Sequence, residues 1–131
     1  MGQPAAKKGD KVMASDIHIV MIPSPGGPIP TPLPHPFSGM LDDALSSDVK
    51  IEGQPAAVQG SKASNLPAHV PQGGPFQTPP KDKAEVMMGS ATVRINGKAA
   101  ARNGDPATTC NDPADLPAGQ VVAVSKVMVG G

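Results

Sequence analysis

A nine-residue unit occurs three times in this chain. The copies span residues 2–10, 53–61 and 97–105, and they read GQPAAKKGD, GQPAAVQGS and GKAAARNGD. In each copy two glycines stand seven positions apart, and two alanines keep the same offsets. Internal repeats determine the architecture of a chain before any local pattern does. Three copies in one chain therefore predict an object with pseudo-three-fold symmetry.

The glycines that frame the copies are the predicted turn positions of the fold. Glycine adopts a positive φ at little cost, and it permits a close approach of backbone segments. The second and third copies also share a preceding segment, VKIEG and VRING. The six turn glycines are Gly2, Gly9, Gly53, Gly60, Gly97 and Gly104.

Composition indicates one small domain with a thin hydrophobic core. The chain has 131 residues, no Trp or Tyr, and only Phe37 and Phe76 as aromatic side chains. A domain this short of large apolar groups usually needs a disulfide, a metal ion or a partner surface. The single cysteine excludes an internal disulfide. The net charge of zero, without a basic stripe or stacking platform, excludes the usual modes of nucleic-acid binding.

Short β-rich segments and almost no helix signal predict a mostly β fold. Strands are expected at residues 17–22, 49–51, 92–95 and 120–129, and at most one helical turn at 42–45. Two uncharged, proline-rich stretches cover residues 17–41 and 65–80. Such stretches are typical of linkers and polyproline ligands. Here they correspond between repeats and contain all the histidines, which favours stiff loops that narrow to a point.

The only histidines and cysteine of the chain form a candidate metal site. They are His18, His35, His69 and Cys110, and three imidazoles with one thiolate complete the tetrahedral ligand set of zinc. His18 and His69 each follow the first glycine of their copy by sixteen residues, and Cys110 follows that of the third copy by thirteen. A three-fold arrangement would bring these side chains to one point. A site whose four positions are all protein ligands is structural, since it leaves no position for a reactive water.

The repeated motifs PAAK at 4–7, PAAV at 55–58 and AAAR at 99–102 resemble those of the PAAR-repeat proteins, although no copy spells Pro-Ala-Ala-Arg in full. Members of that family cap the central spike of type VI secretion systems and related contractile injection systems. The resemblance implies a single conical, zinc-stabilised domain over residues 1–131, without an effector extension. It implies zinc ligation by the three histidines and Cys110. It also implies a base that docks on a trimeric spike of the valine-glycine repeat type, a role in membrane piercing, and delivery of separate effectors.

Other functions remain open at this stage. A small zinc-dependent hydrolase would bind metal through the three histidines alone, but Glu52 and Glu85 lie sixteen or more residues from any histidine. A proline-rich adaptor would lack metal, and residues 17–41 carry no Arg or Lys to flank its PxxP strings. No signal peptide or membrane span is predicted. We therefore expect synthesis in the cytoplasm and export on the injection apparatus. Exposed strand edges near residues 93 and 121–129 are expected to extend the sheets of the spike.

Overall fold

The computed structural model describes residues 2–65, 68–112 and 114–130, which form twelve strands and no helix. The prediction of a mostly β fold is confirmed, and the helical turn expected at residues 42–45 does not form. Within this part of the chain, no helix is long and apolar enough to cross a membrane. The strands are β1 (Gln3–Pro4), β2 (Lys11–Ile22), β3 (Ile29–Asp43), β4 (Lys50–Ile51), β5 (Gln54–Pro55), β6 (Lys62–Asn65), β7 (Lys83–Val86), β8 (Arg94–Ile95), β9 (Lys98–Ala99), β10 (Pro106–Thr109), β11 (Leu116–Val122) and β12 (Met128–Val129).

Six of these strands close into an antiparallel barrel in the order β10-β11-β2-β3-β6-β7. The barrel consists of three hairpins, β2/β3, β6/β7 and β10/β11, and each hairpin follows one copy of the repeat. Its interior is narrow because the inward side chains are mostly small, such as Ala63, Ala84 and Ala107. Phe37 and Leu41 are the largest fully buried side chains. The barrel therefore buries little apolar volume, as the composition predicts.

The three repeat copies meet in a closed ring of backbone hydrogen bonds, which confirms the predicted pseudo-three-fold symmetry. The ring joins the second of the two alanines that all three copies share, which are Ala6, Ala57 and Ala101. Ala6 N–H donates to the carbonyl of Ala101 at 2.9 Å, Ala57 N–H to Ala6 at 3.0 Å, and Ala101 N–H to Ala57 at 3.0 Å. All three alanines are fully buried. The ring separates the barrel core from a second small core, formed by Ala5, Ile51, Ala56, Val58, Ile95, Ala100 and Val129.

Three two-stranded sheets surround the ring, and one of them joins the two ends of the chain. In the second and third copies β5 pairs with β4 and β9 pairs with β8. In the first copy β1 pairs with β12, with Gln3 opposite Val129. The segment expected to be one strand over residues 120–129 is thus divided into β11 and β12. Val121 and Val122 pair with β2, and Val121 also exchanges backbone hydrogen bonds with Gly104 and Asp105, so this part of β11 offers no free edge to a spike.

Five of the six predicted turn glycines have a positive φ, from +79° at Gly97 to +94° at Gly60. At these positions a side chain would strain the backbone. At Gly2, an added Cβ would lie 3.0 Å from the Cβ of Met128. The five glycines are Gly9, Gly53, Gly60, Gly97 and Gly104.

The longest element is a ribbon of β2 and β3, which pair continuously from Lys11↔Met40 to Ile22↔Ile29. β11 pairs with only the first three residues of β2, and β6 pairs with β3 only from Gly39 to Asp43. The ribbon therefore continues beyond the barrel. We call its far end, residues 17–36, the tip, and the end that carries the repeat copies the base. Much of the proline-rich stretch expected to be loop is strand β3, because proline is compatible with an edge strand.

Candidate metal centre

A buried cluster of potential metal ligands lies where the barrel gives way to the tip. The ligand atoms of Asp16, His18, His69 and Cys110 all lie within 4.8 Å of one another, and the four residues are buried. Asp16 and His18 belong to β2, His69 follows β6, and Cys110 directly follows β10. Each of the three barrel hairpins thus contributes to the cluster, and three of the four predicted ligands come together.

The distances within this cluster have the scale of a metal centre. His69 Nε2 lies 3.0 Å from Asp16 Oδ2, and Cys110 Sγ lies 3.5 Å from the same oxygen. Cys110 Sγ also lies 3.6 Å from His18 Nε2. Donor atoms that are each about 2.0–2.3 Å from one zinc ion stand about 3.3–3.7 Å apart in a tetrahedron. The residues therefore fit a small ion with little rearrangement.

His35, the fourth predicted ligand, lies beside this cluster rather than within its tightest group. The centroid of its ring is 5.6 Å from those of His18 and His69. Its Nδ1 lies 2.9 Å from the carbonyl of Leu33, which can only accept, so Nδ1 carries a proton; in the neutral ring the lone pair is then on Nε2. A histidine that binds metal through one nitrogen commonly donates from the other to a carbonyl. His35 is thus in the tautomer that a ligand requires.

Asp16 is a member of the cluster that the sequence reading missed. Its side chain is fully buried. Asp16 Oδ1 accepts hydrogen bonds from Thr109 Oγ1 at 2.5 Å and from Asn111 Nδ2 at 3.5 Å. The available signal was the alternation along β2, where Val12, Asp16, His18 and Val20 share the inward face. This alternation can be recognised only when the strand is taken to begin at Lys11 rather than at Ile17.

The residues that follow Cys110 hold the cluster to β2. Asn111 Oδ1 accepts a hydrogen bond from Ile17 N–H at 2.7 Å, and Asp112 Oδ2 accepts one from Ile19 N–H at 2.8 Å. The same Asp112 oxygen lies 3.6 Å from His18 Nδ1, a buried nitrogen without a hydrogen-bond partner among the described residues. If His18 binds an ion through Nε2, its Nδ1–H has a carboxylate to face. Such outer carboxylates orient ligating histidines.

The proton on His69 can be assigned from its neighbours. Asn65 Oδ1 accepts from Ser38 N–H at 2.9 Å, so the amide nitrogen of Asn65 faces His69 Nδ1, at 3.2 Å. Nδ1 therefore accepts, and Nε2 carries the proton that is donated to Asp16. A metal ion that binds His69 through Nε2 would replace this proton.

Burial controls the protonation of both His18 and Cys110. Burial lowers the pKa of His18, although the charge of Asp112 opposes this, so the imidazole is neutral and able to bind metal. Burial, helped by the charge of Asp16, raises the pKa of the Cys110 thiol from 9.0 to about 11. A metal ion would displace the thiol proton, because a coordinating thiol is deprotonated.

The raised pKa of Cys110 predicts that the metal-free protein loses stability as the pH rises from 9.0 to about 11. In this range the unfolded chain has released the thiol proton while the folded chain still holds it. The unfolded state then binds fewer protons, so the free energy of unfolding falls with pH. Urea unfolding of metal-free wild type and Cys110→Ser at several pH values measures the effect. Parallel curves for the two proteins would show that the thiol does not titrate differently on folding.

Comparison with known proteins gives one family match. A family model described as PAAR motif matches residues 21–114, well over half of the chain. The matched region contains the second and third repeat copies together with His35, His69 and Cys110. The comparison with curated proteins gives no significant match.

Proposed function

The chain belongs to the PAAR motif family and is a spike-tip protein of type VI secretion or related contractile injection systems, and we propose that one copy caps a trimeric valine-glycine repeat spike. The base would contact the spike and the ribbon would point outward. The observation that carries this proposal is the ring of hydrogen bonds through Ala6, Ala57 and Ala101, which relates three similar sectors about one axis. A single chain with three such sectors can present one of them to each subunit of a trimer.

Three exposed valines around the base are the proposed contact points. Val49, Val93 and Val127 are 37%, 36% and 43% exposed. They occupy equivalent positions, because their carbonyls accept hydrogen bonds from the equivalent alanines Ala56, Ala100 and Ala5 of the three copies, at 2.9–3.0 Å. Apolar groups that recur about an axis suit an apolar patch on each spike subunit. The two-stranded sheets beside these valines, β4/β5, β8/β9 and β1/β12, have short strand edges that could also contact the spike.

We expect the protein to bind a trimeric spike at one copy per trimer. Val49→Glu, Val93→Glu and Val127→Glu together should abolish this binding, because three carboxylates would be placed in a contact that excludes water. The same substitutions should leave the fold intact, since all three side chains are partly exposed. Light scattering of the purified complex gives the stoichiometry, and calorimetry gives the affinity.

The matched control is Val70→Glu, which places the same charge at a 68% exposed valine outside the base. This variant should bind the spike as the wild type does. Binding that survives the triple substitution, or a stoichiometry of three copies per trimer, would contradict docking through the base.

The metal centre is proposed to hold one structural zinc ion through His18, His35, His69 and Cys110. The mixture of imidazole and thiolate donors favours zinc over harder cations. Asp16 is assigned as a supporting acceptor, because Thr109 and Asn111 already donate to its Oδ1. When bound, the ion would join the three hairpins where they meet and reduce the freedom of the tip.

The two glutamates considered as general bases of a hydrolase lie away from the metal centre. Glu52 accepts a hydrogen bond from Lys126 N–H at the base, and Glu85 is exposed on the outside of β7. Neither belongs to the buried cluster. We further propose that the protein is made in the cytoplasm, is carried outward on the spike, aids membrane piercing and takes part in effector delivery.

A further inference from the structure

Prolines occupy every second position along the tip half of β3. They are Pro30, Pro32, Pro34 and Pro36, and all four are exposed. Residues at alternate positions of a strand direct their backbone groups to the same edge. The prolines therefore belong to one edge of the strand, and the question is whether that edge faces β2 or the outside.

The hydrogen bonds of β2 answer this question. Ile17 and Ile19 direct their carbonyls away from β3, because they accept from Asp112 N–H and Gln77 N–H, each at 2.8 Å. The even-numbered residues of β2 must therefore exchange hydrogen bonds with β3. Their register partners are odd-numbered residues of β3, with His18 opposite Leu33 and Val20 opposite Thr31.

It follows that the prolines lie on the outer edge of the ribbon. This edge has carbonyl acceptors but no N–H donor at any of its four proline positions. Among the described residues, no backbone hydrogen bond joins this stretch of β3 to a segment other than β2. The edge is thus open, yet it cannot form a ladder, because strand pairing requires donors as well as acceptors.

Without the prolines, an open strand edge at the tip would promote aggregation. Exposed strand edges pair with other chains, and proteins commonly protect them with charged side chains. Residues 17–41 contain no Asp, Glu, Lys or Arg, so the tip lacks that protection. We propose that the alternating prolines close the outer edge of the tip to strand addition by a second copy of this chain. This inference goes beyond the proposed function and depends on neither the metal ion nor the spike.

The test restores the missing donors. In the full chain, Pro30→Thr, Pro32→Thr and Pro34→Thr together supply three N–H groups and a residue that favours strands. The variant should form dimers or larger species as its concentration rises, while the wild type stays monomeric, as measured by size-exclusion chromatography with light scattering. The matched control, Pro25→Thr with Pro28→Thr and Pro79→Thr, removes three exposed prolines outside the strand and should also stay monomeric. A folded, monomeric edge variant, or a wild type that already associates, would overturn the proposal.

A single substitution keeps the proposal testable if the triple variant does not fold. In Pro32→Thr the new amide should face solvent, so in dilute solution it should exchange its hydrogen as fast as an unprotected amide. Because Pro30, Pro34 and Pro36 still lack an N–H on this edge, the exchange should stay fast at higher protein concentration. An amide that is protected already in the monomer would show that the edge is covered, and this would overturn the proposal.

Discussion

Cys110→Ser is expected to bind its metal ion weakly and to unfold far more easily than the wild type in the presence of zinc. A serine hydroxyl does not ionise near neutral pH, so the site would lose its only thiolate. The barrel has little to compensate, because its interior is filled largely by alanines, with Phe37 and Leu41 as the largest fully buried side chains. A structural zinc ion contributes on the order of 10 kcal/mol to folding, and much of this contribution should disappear.

The experiment compares metal content and denaturant unfolding of the two proteins, each with zinc and after chelation. The metal-free forms serve as the control: at neutral pH they should unfold at similar denaturant concentrations, because a serine hydroxyl can donate to Asp16 as the thiol does. A small hydrolase that uses only the histidines would retain its metal without Cys110, and an adaptor would bind none in either form. Equal metal content and equal stability of wild type and variant would rule out Cys110 as a ligand.

The repeat pattern was sufficient to predict the symmetry of the base. The copies at residues 2–10, 53–61 and 97–105 recur at matched offsets, and equivalent residues make equivalent hydrogen bonds in the structure. The same offsets predicted that His18, His69 and Cys110 would converge, and these three residues do lie together. The sequence repeats predict this arrangement because the three sectors have the same backbone hydrogen bonding.

Other features depend on contacts that no local pattern records. β12 completes the first sector, but its segment VMV shares only spaced apolar residues with VKI and VRI, and the copy that it pairs with stands at the other end of the chain. The burial of Asp16 depends on the length of β2 and on the distant partners Thr109 and Asn111. The prolines of β3 resemble those of a loop until the pairing with β2 shows that they occupy an open edge.

Ala57→Leu should destabilise the protein strongly, by about 3 kcal/mol or more, because it overfills a point at which three backbone segments meet. The alanine is fully buried, and the hydrogen bonds on either side of it, to Ala6 and Ala101, prevent the backbone from moving apart. If the ring is symmetric in energy as well as in geometry, Ala6→Leu and Ala101→Leu should cost a similar free energy of unfolding, whereas Ala118→Leu at an exposed position should cost little. Denaturant unfolding of the zinc-loaded proteins measures all four. A large decrease in the free energy of unfolding at one ring alanine and a small decrease at the other two would contradict this prediction. It would show that the three sectors contribute unequally to stability although their backbones are similar.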